Sequence, residues 1–283
     1  MRVHHLNCAT FCPRPGRLIA FDGGLFSRGK MICHCLLIES DDGLILVDTG
    51  IGTEDVRDPH RRLGALSTSL LGARLDVEET ALRRVERMGF RASDVRHIVP
   101  THLDLDHAGG LPDFPAAKVH IYGPELDAAM ERRTRKERSR YRTAHWAHKP
   151  SWVRHTDTSG ERWFGFERVR ALPGVAPEVL LIPLTGHTRG HSAVAVKARG
   201  GWLVHAGDAY FHHAELEANR RCPLGLDLFQ TVIAMNNADR LKNQARLREL
   251  AADRAGEVRI FCAHDPVELE REQAEAERAR RAN

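Results

Sequence analysis

Ten consecutive residues, Thr101-His102-Leu103-Asp104-Leu105-Asp106-His107-Ala108-Gly109-Gly110, carry four side chains able to bind a metal ion. His102 and Asp104 alternate, so in an extended segment they project to the same side. Asp106 and His107 are consecutive, one residue before two glycines where the chain must turn, and therefore point elsewhere. One short segment can thus feed two adjacent ion sites. That is the requirement of a dinuclear hydrolytic centre.

Such a segment needs a rigid frame. Alternating and β-branched character predicts strands over Ile32–Glu39, Leu44–Asp48, Val95–Thr101, Lys118–Tyr122, Val179–Pro183, Ala193–Ala198, Trp202–Ala206 and Val258–Cys262. Helical periodicity predicts helices over Val77–Met88, Asn237–Ala252 and Gly123–Met130. Glu268–Arg281 is charged all round, which predicts a solvated terminal helix. His102, Asp208 and His264 each fall just after a predicted strand, where a sheet holds functional loops.

The run His102-x-Asp104-x-Asp106-His107 resembles the HxHxDH signature of the metallo-β-lactamase superfamily, with aspartate in place of the second histidine. Further stretches resemble that superfamily's motifs in order: Leu44-Ile45-Leu46-Val47-Asp48-Thr49-Gly50, Thr185-Gly186-His187-Thr188-Arg189-Gly190-His191-Ser192, Ala206-Gly207-Asp208 and Phe261-Cys262-Ala263-His264-Asp265. Together they span about Ile32 to His264. The resemblance implies an α/β (α+β) chain folded as an αββα sandwich, two mixed sheets flanked by helices. It implies one domain over residues 1–283, with an insertion at about 132–166 near the site.

Carried over position by position, the resemblance assigns His102, Asp104 and His191 to one ion and Asp106, His107 and His264 to a second, with Asp208 bridging. His187 resembles the non-ligand histidine of its motif. Asp48 resembles a residue that orients a ligand histidine rather than binding metal. A bridging hydroxide attacking a carbonyl is the expected chemistry, and Asp106 and Asp208 are its catalytic carboxylates. In N-acyl homoserine lactonases a tyrosine near the bridging aspartate contacts the substrate carbonyl; Tyr210 is the candidate here, one residue out of place.

Asp104 is the departure. A carboxylate oxygen lies as many bonds from Cβ as the near ring nitrogen of histidine, so it can ligate without moving the backbone. It adds a negative charge, so two divalent ions, three carboxylates and a hydroxide sum to neutrality instead of one positive charge. The expected cofactors are two divalent ions, zinc first, with manganese or iron admitted by the carboxylates.

At 283 residues, 42% hydrophobic and 28% charged, the composition is that of a globular domain. No apolar run approaches the roughly 20 residues of a membrane span. The Met1–Asn7 stretch lacks the apolar core of a signal peptide, which predicts a cytoplasmic protein and six cysteines as free thiols. The +4 charge is concentrated over Glu131–Arg142. A solvated helix face is preferred there over a nucleic-acid surface, because no aromatic residues are interleaved for base stacking.

The leading functional reading is hydrolysis of a lactone, N-acyl homoserine lactone or related, or of an ester. The expected partner is a small-molecule substrate, not a membrane or nucleic acid; a homodimer is left open. The competitors are a thioesterase of glyoxalase II type, using the same ions, and a phosphodiesterase or nuclease, using the basic run.

Overall fold

The computed structural model describes residues 1–21, 24, 26–64, 68, 69, 71–156, 160–172, 174, 175 and 178–281. Its strands form two six-stranded sheets. The first runs in spatial order through β1 (Arg2–Phe11), β2 (Met31–Ser40), β3 (Gly43–Val47), β4 (Val95–Val99), β5 (Lys118–Tyr122) and β6 (Ser151–His155). The second is ordered β12 (Val258–Phe261), β11 (Gly201–His205), β10 (Ser192–Ala198), β9 (Val179–Pro183), β8 (Phe166–Ala171) and β7 (Glu161–Trp163). Both are mixed: β3 to β6 pair in parallel, as do β11 and β12, and the remaining pairs are antiparallel.

Period-two alternation sorts the side chains into layers. Leu36 and Ile38 of β2 meet Val194 and Val196 of β10 between the sheets. Cys35 and Leu37 face the opposite way, against the helices Ala81–Arg87 and Gly123–Glu131. Ala193 and Ala195 of β10 likewise turn outward toward Leu247 and Leu250 of the helix Asn237–Asp253. Every face of the central strands is therefore buried, which is why they read as nearly continuous apolar runs. The result is the expected αββα sandwich.

The predicted strands all form, shifted by a residue or two. β4 stops at Val99 because Pro100 has no N–H for the ladder. The helix expected over Val77–Met88 is split: Val77–Glu79 is a 3-10 turn, and Thr80, extended, caps the helix Ala81–Arg87 by accepting the Arg83 N–H. The terminal helix, Pro266–Arg281, is not solvated all round. Glu268, Leu269 and Glu272 are buried, with Glu272 against Arg259 and Arg271. β1 had no strand signal because His4, His5, Asn7 and Thr10 hide its periodicity; His5 and His34 satisfy each other through ring nitrogens 2.9 Å apart. Residues 132–166 thread into both sheets, supplying β6 to one and β7 to the other; 157–159 lie outside the described residues. Among the described residues no helix is long and apolar enough to cross a membrane.

Candidate metal centre

Four segments converge at one edge of the sandwich. β4 leads into Thr101–His107, β11 into Asp208, and β12 into His264; the turn before β10 carries His187 and His191. The chain is extended at Asp104 and turns helical over Leu105–Ala108, so Asp104 and Asp106 diverge, as the spacing predicts.

Asp208 sits at the centre. Its Oδ2 lies 3.2 Å from His187 Nε2 and 3.8 Å from His102 Nε2. Asp104 Oδ2 completes that group, 3.1 Å from His187 Nε2 and 3.3 Å from His102 Nε2. Asp208 Oδ1 serves the other side, 3.0 Å from His264 Nε2 and 3.2 Å from His107 Nε2. The Asp106 oxygens lie 3.8 Å from His264 Nε2 and 3.9 Å from His107 Nε2. Donors bonded to one ion at 2.0–2.2 Å in a tetrahedron stand roughly 3.3–3.6 Å apart, so the spacing fits two cations sharing Asp208. Among the described residues, the buried atoms His102 Nε2, His107 Nε2, Asp104 Oδ1 and Asp208 Oδ1 have no hydrogen-bond partner. Orphaned buried groups at the focus of two ligand sets are what divalent ions would satisfy.

The supporting bonds fix which ring nitrogen faces the centre. His107 Nδ1 lies 2.8 Å from Asp48 Oδ2, and Asp48 also accepts the Thr101 N–H at 2.7 Å and its hydroxyl at 2.9 Å. Burial pushes the Asp48 carboxyl up, but His107 beside it holds it below the usual range, so Asp48 is ionised and orients the imidazole. His102 Nδ1 is 3.0 Å from the Thr101 hydroxyl, and His264 Nδ1 donates to the Ile32 carbonyl at 2.9 Å. Burial, with Arg140, pushes the His187 imidazole down to about 4 against the pull of Asp208, leaving the neutral form that ligates.

Two expected residues are displaced. His191 faces away from the ligand groups: its Nδ1 donates to the Leu184 carbonyl at 2.9 Å, and its Nε2 accepts the Asp208 N–H at 2.9 Å. With both nitrogens engaged it braces the Asp208 backbone, and it is His187 rather than His191 that stands with His102, Asp104 and Asp208 within ion-binding reach. Gly207 permits this approach, having φ +52° and a position where a Cβ would stand 2.6 Å from His191 Nε2. Tyr210 also lies away from the ligand groups: its hydroxyl donates to the Glu268 carboxylate at 2.9 and 3.0 Å within the outer core.

Arg140 was hidden in the basic run. Its Nη1 donates to Asp104 Oδ2 at 2.7 Å and lies 3.1 Å from His187 Nε2. Burial pushes the Asp104 carboxyl up; the Arg140 guanidinium and the His102 imidazole pull it well below the usual carboxylate range. Arg140 therefore cancels the charge that Asp104 adds. With two divalent ions bound, the site would return to one positive charge, that of the histidine version.

Glu125 also gave no sequence signal. Fully buried on the helix Gly123–Glu131, it accepts the Leu103 N–H (3.0 Å), the Tyr141 hydroxyl (3.1 Å), the Thr188 hydroxyl (2.6 Å) and the Gly190 N–H (3.0 Å). It ties the 101–107 segment to the turn bearing His187. In Glu125→Gln an amide NH2 replaces one accepting oxygen. Bonds to charged acceptors contribute about 1.5–3 kcal/mol each. A loss of about 3 kcal/mol lowers Tm by about 6–12 °C in a chain this size. An unchanged melting curve would remove Glu125 from the framework.

The sequence signature of the metallo-beta-lactamase superfamily matches residues 28–264. A probable metallo-hydrolase of Mycobacterium tuberculosis is 43% identical over 266 residues, covering 94% of this chain and 81% of the relative. An N-acyl homoserine lactonase of Bacillus cereus is 31% identical over 98 residues, 35% of this chain and 39% of that protein. An N-acyl homoserine lactone hydrolase solved with the product N-hexanoyl-L-homoserine at its catalytic metal centre has the same fold, with a TM-score of 0.69 at 20% identity over 95% of each chain.

Proposed function

The chain belongs to the metallo-β-lactamase superfamily and is a metal-dependent hydrolase, and from that premise we propose that it uses two ions, zinc first, to open a lactone or cleave a related ester bearing an apolar tail. The observation that carries this reading is a cavity of about 340 Å³ lined by ligand-group carboxylates and a histidine, by several large apolar side chains, and by Lys136, Ser139 and Arg140. The ligand-group residues are Asp104, Asp106, Asp208 and His264; Phe11, Met31, Leu71, Phe211 and Phe229 are among the apolar ones.

His102, Asp104, His187 and Asp208 would hold one ion, and Asp106, His107, His264 and Asp208 the other. Such a pair supplies Lewis acidity and an activated water. Asp106, lining the cavity and 16% exposed where Asp208 is 4%, is placed to return a proton to the leaving oxygen. The apolar wall excludes water and grips the tail.

The cation inventory disfavours a phosphodiester. Arg140 is engaged by Asp104, His187 and the Ile233 carbonyl, and Lys136 donates to the Val232 and Ala234 carbonyls. Neither is free to meet a phosphate. The lactonase relative and the fold neighbour favour an acylated lactone over a thioester.

The test is proton release from a series of N-acyl homoserine lactones and simple γ-lactones by zinc-reconstituted protein. Burying one methylene contributes about 0.8 kcal/mol, so kcat/KM is expected to rise about fourfold per methylene until the cavity is full. No turnover on any lactone would discard this substrate class and bring thioesters forward.

A further inference from the structure

We propose that Cys33 supplies a thiolate sulfur to the ion on the Oδ1 side of Asp208, so that the two ion sites differ in chemical softness. The proposal rests on the two-ion reading of the centre. Cys33 lies on β2 and is fully buried, its sulfur 4.0 Å from Asp106 Oδ2. Sulfur, an Asp106 oxygen and a His264 ring nitrogen all fall within 4.8 Å of one another. Two donors on one zinc, sulfur at about 2.3 Å and oxygen near 2.1 Å, stand roughly 3.5 Å apart, so the sulfur–Asp106 pair lies about half an ångström beyond ligating separation. The same strand rim aims the partner: the Ile32 carbonyl, one residue before Cys33, holds His264 Nδ1 and leaves Nε2 toward the centre.

Cys222 provides the contrast. It also lies beside two carboxylates, Glu215 and Asp227. Those are already occupied: Glu215 accepts the Phe211 and His212 N–H groups and both Gln230 and Gln244, and Arg220 bridges to Asp227. Among the described residues no arginine or lysine pairs with the Asp106 carboxylate near Cys33; its charged neighbours are the ligand-group imidazoles His107 and His264. On ligation the S–H bond breaks, sulfur keeps the electron pair and donates it to the ion, and the proton leaves to bulk water. The Cys33 side then selects thiophilic ions such as zinc, cadmium or cobalt(II), while the Asp104 side accepts harder ones.

The test loads the full chain, stripped by chelator, with cadmium alone or cobalt(II) alone, and follows sulfur-to-metal charge-transfer absorption against ions bound per chain. A band is expected that saturates within two ions, disappears in Cys33→Ser and survives in Cys222→Ser. X-ray absorption of the zinc-loaded wild type, which needs no variant, is expected to show one sulfur per two zincs at about 2.3 Å. Two bound ions with no band and no sulfur scattering would overturn the proposal and leave the two-ion centre standing. A band that persists in Cys33→Ser, or vanishes in Cys222→Ser, would overturn it as well. Fewer than two ions would remove the two-ion reading and the proposal together.

Discussion

Asp208→Asn protein is expected to hold no more than one divalent ion per chain and to lose at least about a thousandfold in kcat/KM. Four imidazole nitrogens lie 3.0–3.8 Å from the Asp208 oxygens, two on each side. An amide keeps one accepting oxygen and turns an NH2 toward the other pair, where a cation cannot share it. The variant also removes the charge around which four histidines are arranged. Two ions would contribute several kcal/mol to stabilising the developing negative charge, and each 1.36 kcal/mol is tenfold in rate; about 4 kcal/mol gives the thousandfold. The fold should survive, because the 208 N–H still donates to His191 Nε2. Atomic emission on the purified variant together with lactone kinetics decides the matter. Two ions retained with a rate within tenfold of wild type would exclude Asp208 as the bridge.

His187→Ala and His191→Ala should separate cleanly, in the opposite sense to what the motif resemblance implies. His187 Nε2 points between Asp104 and Asp208, beside Arg140, and its Nδ1 has no hydrogen-bond partner among the described residues, so its removal would take away a candidate ligand along with its contacts to Asp104 and Arg140. His187→Ala is expected to lose one ion per chain and to lower activity by more than the 10–100-fold typical of residues that only support a ligand. The metal-free protein is also expected to lose some stability, because a buried ring is removed. His191→Ala removes a buried ring bonded to Leu184 and Asp208, so the metal-free protein should lose about 2–4 kcal/mol of stability while still binding two ions. Ion stoichiometry and melting of the stripped proteins give both readouts. The reverse pattern would restore His191 as the ligand.

The two histidines show what the sequence can carry. The motif places both in one turn four residues apart, but which imidazole faces the candidate ion sites depends on where the Asp208 N–H lies, a contact 17 residues away in sequence. Tyr210 shows the same limit: its nearness to Asp208 in sequence says nothing of Glu268, 58 residues on, which captures its hydroxyl. Arg140 and Glu125 were unreadable for a related reason. A buried charge looks like a surface one until its partner is known, and Arg140 finds Asp104 36 residues away, Glu125 finds Thr188 63 away. The central strands were legible because burial on both faces makes them continuously apolar. β1 was not, because its buried histidines are polar and paired across strands. The Asp48–His107 contact was foreseen because a motif carried it, not because local pattern did.

The most direct test of the two-ion centre is an anomalous-difference map from crystals grown with zinc and measured above the zinc edge. Two peaks are expected about 3.5–4 Å apart on either side of the Asp208 carboxylate. His187 should touch the one beside Asp104, with His191 turned to Leu184. A single peak, or a peak ligated by His191 in place of His187, would contradict the assignment.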